Sequence, residues 1–242
     1  MPDKLSLPPG VNWEDSPLFD FGKRPVLTLL PDMMRLLTVG YLIRQYGKVD
    51  VPDTQIEVLD VAAGFGELGA ILRAERKAKG SRIRYVAVDI DPRKRDRARV
   101  IYPSIDYRMA DLSVPMALGN VVRGEDFDIV ASTETLEHLT MEQGVQFMLD
   151  CLQLLKPGGT FILTSANPNI HRTNEWHLFE WPPEVLRTWL SEHASIVDWF
   201  YLKGPSVSQR QEFAKSRVPS EFLRALPNPA QGSVTVAVLR NK

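Results

Sequence analysis

The sequence predicts an α/β fold: a doubly wound sheet of seven strands, mostly parallel, with the last strand antiparallel. Three observations predict it. Short β-rich runs alternate with helical patterns along the chain, the order that lays a parallel sheet between helices. The early runs are apolar nearly throughout, as strands covered on both faces must be. The final two runs have no strong helical pattern between them and should therefore pair antiparallel.

The strand candidates, in order, are "IEVLDV" from Ile56, "RIRYVAVD" from Arg82, "IDYRMA" from Ile105, "FDIVAST" from Phe127, "TFILTSA" from Thr160, "SIVDWFYL" from Ser195 and "SVTVAVL" from Ser233. Helices fall between them. In "MEQGVQFMLDCLQLL" the residues Val145, Met148, Leu152 and Leu155 recur at spacings of three and four, and "KPGG" marks the end. Residues 1–50 precede the sheet and are expected to form a helical cap or lid. There "PVLTLLPDMMRLLTVGYLIRQYG" reads as an amphipathic helix interrupted near Pro31. Residues 51–242 form the main domain, with a polar, Pro-containing insertion at 203–232 whose length suits a lid over a ligand.

Composition narrows the class. At 242 residues and 44% hydrophobic, the chain can bury one large core, so a single domain is expected. Lys and Arg number 29 against 30 acids, which gives no bulk charge for holding nucleic acid. Cys151, the lone cysteine, excludes an internal disulfide framework and reads as a core residue. No apolar run approaches the ~20 residues of a membrane span. The opening "MPDKLSLPPGVNWEDSP" lacks the apolar core of a signal peptide. The expectation is a cytoplasmic chain with no membrane partner.

The chemistry concentrates at strand ends, where open α/β sheets bind their ligands. After the first strand, Gly64-Phe65-Gly66-Glu67-Leu68-Gly69 has the G-x-G-x-x-G spacing that cradles a pyrophosphate on backbone N–H groups. Asp60 just ahead of it would repel a pyrophosphate and attract an ammonium or sulfonium. Asp89 ends the second strand, 25 residues after Gly64, near the offset at which an acid accepts from ribose hydroxyls. Asp111 follows the third strand, placed to hold an exocyclic amine. Asp is common at strand-to-loop junctions, so any one of these acids is unremarkable. The three along one rim are less so.

"VLDVAAGFGELG", "YVAVDIDP", "RMADLS", "FDIVASTETLEHL" and "LLKPGGTFILTSANPN" together resemble the class I S-adenosylmethionine-dependent methyltransferases, over Ile56 to Trp189. The resemblance implies a Rossmann-like sheet and S-adenosylmethionine as cofactor. It places the loop from Asp60 through Ala62, Gly64 and Gly66 against the methionine part, Asp89 on the ribose, and Asp111 with Leu112 around the adenine. It adds Ile90 and Thr133 to the cofactor contacts. The family usually has glycine where this chain has Ala62, and a Cβ there is tolerable only at negative φ. A nicotinamide-dependent oxidoreductase shares the glycines and Asp89 but leaves Asp60 and "LLKPGG" unexplained. A cofactor-binding subunit without catalysis would lack a usable base.

Two further groups bear on the acceptor. In "STETLEHL", Glu134, Glu137 and His138 share a helical face if a helix begins there, though acids also suit any first helical turn. The later "NIHRTNEWHLFEWPPEVLRTWL" holds His171, Trp176, His177, Phe179, Glu180 and Trp181, either an acceptor pocket or a surface loop pinned by tryptophans. His138 and His177 are the candidate catalytic bases, since imidazole accepts a proton near neutral pH. Together the groups also resemble the metal-dependent enzymes that methylate the 2′-hydroxyl at small-RNA 3′ ends, which implies a divalent ion on Glu134, Glu137, His138 and His177. Carboxylate plus imidazole suits such an ion. The favoured expectation is methyl transfer to oxygen or nitrogen of a small molecule or glycan; a metal and an RNA acceptor are the less favoured alternatives.

Overall fold

The structure, a computed structural model, describes residues 26–48, 54–76, 82–170, 175–203, 225–226 and 232–241. Its strands are β1 Gln55–Val61, β2 Arg82–Asp89, β3 Asp106–Met109, β4 Phe127–Thr133, β5 Leu155–Ala166, β6 Ala194–Leu202, β7 Ala225–Leu226 and β8 Val234–Asn241. They form one sheet in the order β3-β2-β1-β4-β5-β8-β6-β7. All pairings from β3 to β5 are parallel, and β8 runs antiparallel to both β5 and β6. The seven expected strands are all present. The eighth, β7, is a two-residue edge pairing to β6, too short to show a period of two.

Alternate residues of each strand feed opposite faces. Val58, Ile129, Ile162, Val236 and Val238 join Leu68, Leu72, Val39, Leu42 and Ile43 in one buried cluster. Leu59, Val130, Phe161, Leu163, Ala237 and Leu239 join Leu118, Phe147, Met148, Leu152, Leu186 and Leu190 in the other. The first face is covered by α1 Val26–Gly47 and α2 Glu67–Arg76, the second by α4 Ala117–Val121, α5 Met141–Gln153 and α6 Pro183–His193. A further helix, α3 Pro92–Ile101, begins at Asp91, whose side chain accepts from the Arg93 N–H. Cys151 lies in the second cluster, as expected of a core residue, and burial pushes its thiol pKa well up.

Three local expectations change. The first helix is continuous through Pro31. Proline there lies in the second turn, where its missing N–H removes a single bond to the carbonyl four residues back. Next, α5 stops at Gln153, so Leu155 and "KPGG" belong to the start of β5. The register shift between Phe127 and Ile129 accommodates this run. Gly158 sits at φ 76, and a Cβ on Gly159 would come within 3.0 Å of the Phe127 carbonyl. Finally, β3 begins at Asp106.

The start of α5 follows the sequence closely. Thr140 accepts from the Gln143 N–H while the Gln143 side chain accepts from the Thr140 N–H, a reciprocal cap. Among the described residues no helix is long and apolar enough to cross a membrane. Residues 1–25 of the expected cap, and most of the 203–232 insertion, lie outside the described residues.

Candidate functional site

Sheet order reverses at β1, which has β2 on one side and β4 on the other. The crevice of such a sheet opens at the carboxyl ends of these strands. Asp60 stands on β1 one residue before its end, Asp89 is the last residue of β2, and Asp111 lies two residues beyond β3. Adjacent parallel strands therefore bring the three acids to one rim.

The glycine loop is held from within. Ala63 N–H donates to Val88 O, Gly64 N–H to Asp89 Oδ2, Phe65 N–H to Glu67 Oε2 and Gly66 N–H to Ala63 O. Four successive donors are thus already committed inside the chain. A pyrophosphate is held by such donors turned outward, and these four are turned inward.

Asp60 explains the rest. It is buried, its carboxylate accepts from the Tyr85 hydroxyl, and no cation pairs with it among the described residues. Burial raises its pKa to about 7, with smaller contributions from Glu67 and Asp89, while the Tyr85 hydrogen bond opposes the rise. A buried acid without a counter-charge fits a ligand that brings a cation.

Asp89 is also buried. Its Oδ1 accepts from the Asp91 N–H, and its Oδ2 accepts from Gly64 N–H and, at 3.3 Å, from Lys94 Nζ. An ionised carboxylate offers about four acceptor sites, so capacity for a hydroxyl remains. Asp111 Oδ1 accepts from both the backbone and hydroxyl of Ser113, and Oδ2 takes no donor among the described residues. Ile90 is 58% exposed beside Asp89, an apolar surface at the rim. Leu112 packs on the second core cluster, and Thr133 ends β4 half-buried.

Gly64 and Gly66 take φ 58 and 77, conformations that favour glycine. Ala62 does not follow the expectation of negative φ, for it stands at φ 60. The turn out of β1 demands the left-handed region there, and the alanine occupies it at a cost of about 1–2 kcal/mol.

The second half of the site lies after β4 and β5. Leu136–His138 is a single 3₁₀ turn rather than the start of an α-helix. Glu134 precedes it at φ 51, bonded to Thr164 and 3.6 Å from Arg35. It therefore does not share a helical face with Glu137 and His138. The segment after β5 is stitched to that turn: Leu178 and Phe179 N–H donate to Glu137 O, and His138 Nδ1 lies 2.9 Å from Trp176 O. A carbonyl can only accept, so His138 Nδ1 bears the hydrogen and the ring lone pair falls on Nε2. His177 Nδ1 pairs likewise with the Glu180 carboxylate, three residues on. The two rings meet edge to face at 5.1 Å.

Glu137, His138 and His177 each offer one ligand atom, all within 4.8 Å of one another. Glu137 is buried, accepts from Ser165 Oγ, and has its pKa raised to about 8, first by burial and then by the charge of Glu134. Among the aromatics of the segment after β5, Trp181 is buried in the core and Trp176 is exposed. The stretch is thus pinned at one end and open at the other. His171 lies outside the described residues.

Tyr85, Tyr107 and Glu180 carry contacts that the sequence reading did not assign. A tyrosine in each of two adjacent strands and an acid at i+3 from His177 were the available signals.

Residues 59–163 match the family model described as a methyltransferase domain. The chain is 29% identical over 148 residues to a ubiquinone biosynthesis O-methyltransferase of Roseobacter denitrificans, covering 57% of this chain and 54% of that protein. It is 30% identical over 145 residues to a carboxy-S-adenosyl-L-methionine synthase of Erwinia tasmaniensis, covering 57% of each. The chain thus spans little more than half the length of these relatives. A solved small RNA methyltransferase superposes with a TM-score of 0.55 at 19% identity, over 85% of this chain and 25% of that one. That likeness is one of fold.

Proposed function

We propose, from the S-adenosylmethionine-dependent methyltransferase family that the methyltransferase-domain match over residues 59–163 and the relatives support, that the chain moves the methyl group of S-adenosylmethionine to an oxygen or nitrogen of a small molecule or glycan. The single observation that carries this reading is the meeting of two imidazoles, His138 held at Nδ1 by the Trp176 carbonyl and His177 paired with Glu180, in the segments that follow β4 and β5. When bound, S-adenosylmethionine supplies an electrophilic methyl carbon on a sulfonium. The residues of this chain do the rest. Asp60 supplies a buried negative charge for the cationic end. Asp89 accepts from the ribose hydroxyls, and Asp111 with Ile90 and Leu112 borders the adenine. His138 or His177 takes the acceptor proton, His138 at Nε2, with Glu180 orienting the His177 ring.

Exposed apolar side chains in the same segments, Met141, Ile170, Trp176 and Leu178, support an acceptor with an apolar body. The balanced charge of the whole chain argues in the same direction and against a long nucleic acid.

A second reading rests on the cluster of Glu137, His138 and His177. These are suitable ligands for a divalent cation, and such an ion would keep the buried Glu137 ionised and orient an acceptor hydroxyl. It would favour a vicinal diol, the chemistry of an RNA 3′ end. The test is transfer of a radiolabelled methyl group to extract fractions separated into small molecules, glycans, RNA and protein, with and without chelator. Label in the small-molecule or glycan fraction that persists in chelator supports the first reading. Label in RNA that vanishes with chelator and returns with manganese or magnesium replaces it with the second.

A further inference from the structure

Behind the cofactor loop, the two tyrosines Tyr85 of β2 and Tyr107 of β3 reach toward β1 and its turn. The Tyr107 hydroxyl donates to Gly64 O and so braces the loop backbone. The Tyr85 hydroxyl donates to a side chain instead, the Asp60 carboxylate. Asp60 is 2% exposed. The other titratable groups facing it are Glu67 at the start of α2, Asp89 at the end of β2 and, across the loop, Tyr107, and none of them is a cation. Tyr85 is thus the one hydroxyl donor that the described residues give this carboxylate. Gly69 of α2 leaves room for its ring, since a Cβ there would overlap it.

We propose that Tyr85 is a positioning residue for the cofactor, holding Asp60 as an oriented, ionised carboxylate so that the crevice accepts a ligand cation. This inference rests on the S-adenosylmethionine reading above. The physical reason is one of balance. Burial and two neighbouring acids all favour a protonated Asp60, which attracts no cation, and one hydrogen bond to the anion opposes them. With that bond Asp60 is raised only to about 7; without it the carboxyl rises further, is protonated across neutral pH and loses the donor that orients it. The role is not catalytic, because Tyr85 touches Asp60 and not the reacting atoms.

The test is calorimetric binding, with no turnover required. Three probes are titrated into wild-type protein, Tyr85→Phe, Tyr107→Phe and Asp60→Asn: S-adenosylmethionine, S-adenosylhomocysteine and 5′-methylthioadenosine, the last lacking both ammonium and sulfonium. Phenylalanine keeps the ring over Gly69, so the fold is retained. In Tyr85→Phe, S-adenosylmethionine should bind about tenfold more weakly at pH 7, and much of the loss should be recovered at pH 9 as Asp60 ionises. Methylthioadenosine should be unaffected. Tyr107→Phe, which softens the loop itself, should weaken all three probes alike. If Tyr85→Phe weakens methylthioadenosine as much as S-adenosylmethionine, Tyr85 is a brace and the proposal falls. It also falls if Asp60→Asn loses affinity while Tyr85→Phe does not. Wild-type protein that binds none of the three would instead overturn the underlying cofactor reading.

Discussion

Two substitutions in one loop should move stability in opposite directions. Ala62 and Gly66 both occupy left-handed backbone, at φ 60 and 77. An L-residue there costs about 1–2 kcal/mol relative to its ordinary region. Ala62→Gly removes that strain but gives the unfolded chain more freedom, worth about 0.5–1 kcal/mol in the other direction. The net expectation is a gain of about 0.5–1 kcal/mol, or roughly 1–4 °C in Tm for a chain of this size. Gly66→Ala incurs the same backbone cost, and its new Cβ would sit 2.9 Å from Ile105 Cδ1 and 3.8 Å from the Ala98 Cβ. Tighter packing of this kind adds about 1–3 kcal/mol and the stiffer unfolded chain returns about 0.5–1 kcal/mol, so a loss of about 1–4 kcal/mol is expected. Urea unfolding followed by circular dichroism reads both, with the slope m unchanged. If Ala62→Gly is neutral or destabilising while Gly66→Ala behaves as stated, the left-handed turn at 62, and the reasoning from it, is wrong.

Replacing His177 by alanine should lower kcat by about 10²–10⁴-fold while the affinity for S-adenosylmethionine, measured calorimetrically, stays within twofold; a parallel loss of binding would place His177 in the cofactor site. Gly144→Ala should destabilise the chain by about 1–3 kcal/mol, because its Cβ would meet Leu136 Cδ1 at 2.9 Å and Trp181 Nε1 at 3.3 Å; thermal denaturation checks it. Stability of the ligand-free protein should fall as pH rises from about 5 to 8. Asp60 and Glu137 have folded pKa values raised to about 7 and about 8, so the native state holds more protons than the unfolded chain across that window, and the slope of unfolding free energy with pH is negative. Glu137→Gln should flatten the curve; a profile that rises through the window would refute the burial of these acids without a counter-charge.

Much of the sheet was legible because its strands are long, apolar and bounded by turn residues. Arg82–Asp89 and Phe127–Thr133 coincide with the expected runs. The boundaries that moved did so for backbone reasons. Pro31 sits early enough in α1 to be carried, and "KPGG" bends the first residues of β5 rather than ending a helix. The rim of acids was readable because sheet topology forces consecutive strand ends together. The His138–His177 encounter was only half readable. Sequence spacing identified each histidine, but their meeting depends on hydrogen bonds from residues 178 and 179 to the Glu137 carbonyl, which no local pattern encodes. Glu134 shows the converse: its spacing suggests a helical face, yet a single left-handed residue turns it toward Thr164 and Arg35. Ala62 was read from steric preference alone, and the demand of the turn outweighed it.

With Asp60 buried without a counter-charge and the N–H groups of residues 63–66 turned inward, the crevice beside β1 should take a cationic nucleoside in preference to a pyrophosphate. Calorimetric titration of wild-type protein with S-adenosylmethionine, and separately with NAD, tests it most directly. Binding of S-adenosylmethionine in the micromolar range, about −7 to −8 kcal/mol, is predicted, with a loss of about 1.5–3 kcal/mol on Asp89→Ala and no measurable heat from NAD. Tight binding of NAD with no response to S-adenosylmethionine would contradict it.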